Sequence, residues 1–403
     1  VAAAARATCM PPCHRAGVRE YAALLRRLVD AEMVELSSTP CDHPMGLFGV
    51  WKVEGLVMRL IIDARVVNCG FKAPPFEHTG GDDLLRLCVA AGMVLLVAKA
   101  DLADFFHSCR ASSSLGLHFG LRRVRAAALR AAGVFVPPEA VDPAGCVWPR
   151  LSTLPMGWGP SPGLAQHCHE AVLYGSAGPG SAAARALTPV LEPAARLSGL
   201  RGPAAGSAAA EEPHALVIDD LLLFRQVPAT AVAEPQADTR TGALGRIVDR
   251  YQAVGLTAKP EKVHDYAAQA RIIGYDLDNN VLRGTPEKYQ ELAEAVSALS
   301  RRCWARPREV ERLVGKFTHV FLLHRLALSA FSATYAFTSK LGHRAARVWP
   351  GVLMELRTAV ALFPLVTADL GRPVAPLLVQ TDASMTGTGA VYTRDVPQPT
   401  LAA

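Results

Sequence analysis

The sequence predicts an α+β fold, and three observations carry that prediction. Two apolar runs, 95–106 and 214–224, each bring aspartates to the end of a strand. Between 285 and 321 two segments place apolar residues at helical spacing, and 377–391 reads as strand, turn, strand. At 403 residues the chain has room for a large core and two or three domains.

An apolar share of 50%, much of it alanine, and a mean hydropathy of +0.19 mark a globular chain. The longest uncharged apolar stretch, 87–98, is too short to span a bilayer, so no membrane partner is expected. A net charge of +6 and a pI near 8.9 permit a polyanionic partner without demanding one. Nine cysteines, an odd number at irregular spacing, exclude a disulfide framework and fit a reducing compartment. Cys9, Cys13 and His14, and the triplet His167, Cys168 and His169, lack a matching second pair at finger spacing, so zinc is not expected. The chain opens at Val1 without an initiator methionine and its last element stops abruptly, as a fragment or an incomplete gene model would; any targeting signal is unreadable.

Taken in order, 1–45 is a lead-in holding one helix, 18–33. Strand-like runs at 57–62 and 94–98 alternate with loops up to a helix that begins at Ser161. Composition shifts at 175–213 to Ala, Gly, Pro and Ser, which predicts a flexible or loosely helical surface insertion. A helix follows at 242–254 and a strand at 270–277. Thr285 then Pro286 is a helix-start signal, with Tyr289, Leu292, Val296 and Leu299 along one face. A second helix starts near Pro307 and repeats Val310, Leu313, Val314, Phe317 and Phe321. The expected divisions are 1–45, 46–278 with the insertion inside it, 279–370 and 374–403.

Chemistry concentrates where carboxylates meet apolar strands. Asp219 and Asp220 lie between apolar stretches bounded by Pro213 and Arg225, which reads as a buried hairpin whose carboxylates need cations; a plain surface turn is the bland alternative. Asp101 ends another apolar strand. Nucleotidyl transfer to a hydroxyl uses two divalent cations bridged by carboxylates from different strands. Asp101 and Asp219 suit that bridge, and magnesium is the expected metal because it favours oxygen ligands and phosphates. Between them, 154–166 is a glycine-containing loop that runs into a helix at Ser161 and Pro162, a form able to hold a base pair. Lys52 and Arg59, projecting from one hairpin, suit a triphosphate, while Asp63 and Arg65 read as a structural ion pair.

In order and in residues these segments resemble the successive motifs of retroelement reverse transcriptases. RLIIDARVVN (59–68) resembles the first fingers motif, KADLADFFHS (99–108) motif A, LPMGWGPSPGLAQ (154–166) motif B and ALVIDDLLL (215–223) motif C. VGLTAKPEK (254–262) resembles motif D and RIIGY (271–275) motif E, while LVGKF (313–317) is similar to the thumb or connection region. The resemblance implies a right-hand polymerase with fingers and an antiparallel palm sheet over 46–278 and a helical thumb or connection over 279–370. It implies that Asp101 and Asp219 ligate two magnesium ions, or manganese in their place, with Asp220 as a third acidic group. Phe106 would exclude a 2′-hydroxyl, Lys52 and Arg59 would clasp the triphosphate, and Met156, Gly157 and Gln166 would line the nucleotide and template pocket. Lys262 would protonate departing pyrophosphate.

Two departures stand out: Val217 replaces the usual aromatic residue of motif C, and 118 positions separate Asp101 from Asp219, so the 175–213 insertion must loop out. LVQTDAS (378–384), with Gly387 and Gly389, resembles the first strand of a retroelement ribonuclease H domain, Asp382 being its first carboxylate. Only 21 residues follow Asp382, so the expected strand pair is incomplete and no ribonuclease H activity is expected. This arrangement favours an LTR-type or tyrosine-recombinase-type element. The expected function is RNA-directed DNA polymerisation, with an RNA or DNA template, a primer and deoxynucleoside triphosphates as partners and an intracellular setting, cytoplasm or nucleus. The alternatives are a decayed or domesticated copy that binds nucleic acid without catalysis, and an unrelated two-metal phosphohydrolase, which would leave 154–166 unexplained.

Overall fold

Residues 93–101 carry apolar side chains at almost every position, as a strand covered on both faces requires, and Leu95, Leu96, Val97 and Ala98 are all buried. This strand lies inside the second of two units of a computed structural model. The model describes residues 17–41, 44–53, 56–175, 190–191, 196–197, 213–232, 242–372, 377–383 and 388–394. The first unit comprises Val1–Glu77, Leu102–Thr188 and Arg250–Ala258; the second comprises His78–Asp101, Pro189–Asp249 and Lys259–Ala403.

The second unit contains an antiparallel sheet in the order His214–Val217, Asp220–Pro228, Met93–Asp101, His264–Ala267. A second sheet orders Gln269–Ile272, Tyr275–Asp278, Val281–Gly284 and Thr367–Asp369. Asn280 ties the two together, its side chain accepting from the Leu95 N–H at 2.7 Å and donating to the Met93 carbonyl at 3.0 Å. Helices Pro286–Arg302, Pro307–Phe321 and Pro350–Ala361 add Leu292, Val296, Phe317, Phe321 and Leu356 to the core. Thr285 caps the first of these, accepting from the Lys288 N–H, as the Thr-Pro signal predicts.

In the first unit, the helix Val18–Asp30 buries Tyr21, Ala22, Leu25 and Leu28, spaced to form one apolar stripe. It stops earlier than the expected 18–33 because the chain turns at Glu32, where φ is 54°. A three-stranded antiparallel sheet orders Val34–Ser37, Cys146–Leu151 and Val124–Arg125. Gly46–Val53 and Val57–Asp63 form a separate two-stranded hairpin, and Phe119 packs edge-on against Trp158 with centroids 4.9 Å apart.

Two expectations need correction. The expected strand 270–277 is a hairpin, because Ile273 (φ 47°) and Gly274 (φ 76°) form a left-handed pair that reverses the chain between two short strands. The surface assignment of 175–213 fails at Leu197, which is fully buried in the second unit's core, its N–H donating to the His214 carbonyl at 2.8 Å. Most of that insertion, with Cys9, Cys13 and His14, lies outside the described residues. Pro307–Lys340 is long and apolar enough by composition to cross a membrane. Its backbone breaks at His324 (φ −149°, ψ 77°), and Phe317, Phe321, Phe331 and Phe337 point into the protein core.

Candidate active site

The acidic turn is built by one strained residue. Val217 pairs with Asp220 across the hairpin, and the reversal between them needs Ile218 at φ 58°, a conformation that a β-branched side chain rarely adopts. The neighbouring strand then places Asp101 directly opposite Asp220 in register. Residues 119 positions apart in sequence thus meet at the end of one sheet.

Cations reach this corner from a third segment. The Lys259 N–H donates to the Asp101 carbonyl at 2.9 Å, and the turn Pro260–Lys262 brings a second lysine round. The Lys259 ammonium donates to Oδ1 of Asp101 and the Lys262 ammonium to Oδ2. Lys262 was expected here; Lys259 was not singled out from the sequence, although its place three residues earlier, across Pro260, was the available signal. A cavity of about 150 Å³ opens beside the corner, lined by Asp101, Asp220, Lys262, Arg271 and Ile273 among others.

The three carboxyls differ in electrostatic state. Burial pushes Asp101 up, but the hydrogen bonds from Lys259 and Lys262 outweigh it and hold the group below its ordinary value. Asp219 is raised, chiefly by burial, with the Asp101 charge adding to the shift. Asp220 is raised to about 6 by the protein packed around its carboxyl, then by Asp219 and Asp101. The Asp101 hydrogen bond raises Lys262 against an opposing effect of burial, so this lysine is held firmly as an ammonium.

Three carboxylates with no soft ligand suit magnesium chemically. Among the described residues, however, no three acidic, histidine or cysteine side chains converge tightly enough to hold a metal as they stand. Both oxygens of Asp101 are occupied by lysines. The donor set fits the metal, and its release from the lysines is the step that binding would require.

The remaining expected site residues belong to the first unit. Phe106 and Met156 are half-buried, and Gly157 is exposed. Gln166 is fully buried and its amide donates to Glu170 at 2.9 Å. Lys52 sits on Gly46–Val53 at a break in register, and Arg59 is exposed on the partner strand opposite Val50. Asn68, to which the sequence assigned no role, holds the glycine loop: its Nδ2 donates to the Gly157 carbonyl at 2.9 Å and its Oδ1 accepts from the Gly159 N–H at 2.8 Å. Gly157 has φ 110°, and a Cβ there would lie 2.7 Å from the Ile62 carbonyl oxygen. Gly157→Ala is therefore expected to destabilise the protein by about 1–3 kcal/mol, read as a lower unfolding midpoint. An unchanged midpoint would refute the strain argument.

Asp63 and Arg65 form the expected ion pair, Nε donating to Oδ1 at 2.8 Å and Nη2 to Oδ2 at 2.6 Å. The Arg65 hydrogen bond holds the Asp63 carboxyl below its ordinary 3.8, with burial opposing. A depressed folded pKa stabilises above the ordinary value and loses that stabilisation as pH falls through the folded one. Asp63→Asn should accordingly lower thermal stability at neutral pH, with the difference shrinking in strong acid; a pH-independent difference would count against the pair. Asp382 lies on Leu377–Ala383 opposite Gly389 of Thr388–Arg394, an antiparallel strand pair.

No family model matches the chain, and no curated protein matches it by sequence. Solved structures do match. A foamy viral protease-reverse transcriptase in complex with double-stranded DNA aligns at TM-score 0.55 and 12% identity, over 93% of this chain and 63% of that one. The same viral protein with an RNA/DNA hybrid gives TM-score 0.55 and 12% identity, over 96% of this chain and 43% of that chain. Its dRH form with DNA gives 0.54 and 12%, over 91% and 51%. At this identity the likeness establishes a reverse-transcriptase-like fold of helices and antiparallel sheets. This chain spans only 43% to 63% of the length of these three structures.

Proposed function

We propose that the chain is a retroelement reverse transcriptase, adding deoxynucleotides to a primer 3′-hydroxyl on an RNA template. In this reading the sheet bearing Asp101, Asp219 and Asp220 is the palm, the hairpin of Lys52 and Arg59 belongs to the fingers, and the helices after Thr285 form the thumb or connection. The pair Leu377–Ala383 and Thr388–Arg394 is the start of a ribonuclease H-like domain. The observation that carries the proposal is the register match of Asp101 with Asp220, with the Lys262 ammonium on Asp101.

Asp101, Asp219 and Asp220 would hold two magnesium ions, which when bound supply activation of the primer hydroxyl and charge neutralisation at the phosphates. Lys259 and Lys262 keep Asp101 charged until then. Lys262 is placed to deliver a proton to the leaving pyrophosphate. Lys52 and Arg59 bind the triphosphate, Phe106 rejects the ribose 2′-hydroxyl, and Met156, Gly157 and the buried Gln166 shape the base-pair pocket.

Primer extension on an RNA template, with magnesium and either deoxy- or ribonucleotides, tests this directly. Extension confined to deoxynucleotides supports it. A second reading, nucleic-acid binding without catalysis, draws on one observation: lysines occupy both Asp101 oxygens. Duplex binding with no extension at any magnesium or manganese concentration would favour that reading. Because the duplex would be held through its phosphates, its affinity should fall roughly linearly on logarithmic axes as salt rises. A flat salt response would contradict both readings.

A further inference from the structure

Two thiols in the first unit stand in contact, and the reaction proposed above makes no use of them. Cys109 follows the short helix Phe105–Ser108, and Cys168 lies within the helix Ser161–Tyr174. The backbone beneath both is fixed. The Cys109 N–H donates to the Phe105 carbonyl at 3.2 Å, and its own carbonyl accepts from the Leu154 N–H at 3.0 Å. Phe105 packs against His169 with ring centroids 5.5 Å apart, and His169 is fully buried in a 2.6 Å hydrogen bond with the Tyr251 hydroxyl. Within that frame the two cysteine side chains are hydrogen-bonded to each other. Cys109 is buried and Cys168 is exposed, so an oxidant reaches the pair from the Cys168 side. His167, Cys168 and His169 hence do not act together: His169 turns inward to Tyr251 while Cys168 turns to Cys109.

We infer that Cys109 and Cys168 are a site of reversible oxidative modification, forming a disulfide that staples the helix Ser161–Tyr174 to the segment carrying Phe106. The chemistry is asymmetric. The hydrogen bond from Cys109 lowers the Cys168 thiol to about 7, against burial and with help from the His167 charge, while the same bond and burial push Cys109 up. Cys168 is the attacking thiolate: it takes one oxygen from a peroxide, forming a sulfenic acid and releasing hydroxide. Cys109 then attacks that sulfur, the S–O bond breaks, and water leaves with the Cys109 proton. Two thiols are oxidised by two electrons and one hydrogen peroxide is reduced to two waters. Phe106 lies three residues before Cys109 and Gln166 two before Cys168, so the new bond fixes the spacing of two segments assigned above to the nucleotide pocket.

The test needs no polymerase activity, so its outcome is independent of the function proposed above. The full chain is treated with hydrogen peroxide near neutral pH, blocked with an alkylating agent, digested without reductant and analysed by mass spectrometry. The expected result is a linked peptide joining Cys109 to Cys168, lighter by two hydrogens than its parts and lost on adding dithiothreitol. Cys109→Ser should leave Cys168 as a sulfenic acid captured by dimedone, and Cys168→Ser should leave Cys109 reduced. Further oxidation of wild-type Cys168 to sulfinic acid without the linked peptide would overturn the inference, as would a Cys168 that stays unreacted. The wild-type result stands by itself if either serine variant fails to fold.

Discussion

Asp219→Asn is expected to abolish primer extension, slowing it by about 10³-fold or more, while the protein remains folded. Asparagine keeps the shape of the side chain at the tip of the acidic hairpin but cannot carry the negative charge, and several kcal/mol of transition-state stabilisation depend on that charge. The backbone has little reason to change, because Ile218 already imposes the turn through its own φ of 58°. The substitution also removes one of the charges that raise Asp220, so the Asp220 carboxyl should titrate lower in the variant. Extension rates of the two proteins, matched by circular dichroism, supply the check. Equal rates would remove Asp219 from the metal-binding assignment and, with it, the central claim of the proposed mechanism.

Phe317→Ala is expected to cost about 3–5 kcal/mol of stability, the usual range for deleting a buried aromatic ring. Phe317 is fully buried at the centre of an aromatic cluster, with ring centroids 5.7 Å from Phe321, 5.6 Å from Phe331 and 5.7 Å from Phe363. Removing the ring leaves a cavity that three rigid neighbours cannot collapse to fill. The loss should reach the candidate site, since Ile272 and Tyr275 of the hairpin formed by Gln269–Ile272 and Tyr275–Asp278 belong to the same core and Ile273 lines the cavity beside Asp101. Chemical denaturation reports the loss, and primer extension near the variant's lowered melting point should fail before that of the wild type. A cost below about 1 kcal/mol would show that the cluster repacks.

Much of this chain was legible in its residues. The Thr285 and Pro286 start signal, the apolar stripe from Val310 to Phe321 and the apolar run into Asp101 each rest on local rules of capping and periodicity, and each element stands where it was expected. Those rules fail where a backbone angle decides the outcome. Ile273 does not announce a left-handed conformation, so 270–277 reads as one strand when Ile273 and Gly274 turn the chain between two. They fail again at Leu197, an apolar residue whose burial depends on partners far away in sequence and whose alanine-rich surroundings suggested solvent.

The site divides along the same line. The sequence by itself determined which residues could do chemistry, because paired carboxylates at strand ends, a glycine loop before a helix and a lysine after a turn are costly or distinctive placements whatever surrounds them. Only the tertiary structure decided which of these groups meet. It set Asp101 opposite Asp220, brought Lys259 as well as Lys262 onto the Asp101 carboxylate, gave Asn68 the task of holding Gly157, and placed Cys109 against Cys168. Residue type and local spacing limit what a segment can form, but the approach of two segments depends on strand register and core packing. Those are set by the whole chain at once, and no window of sequence contains them.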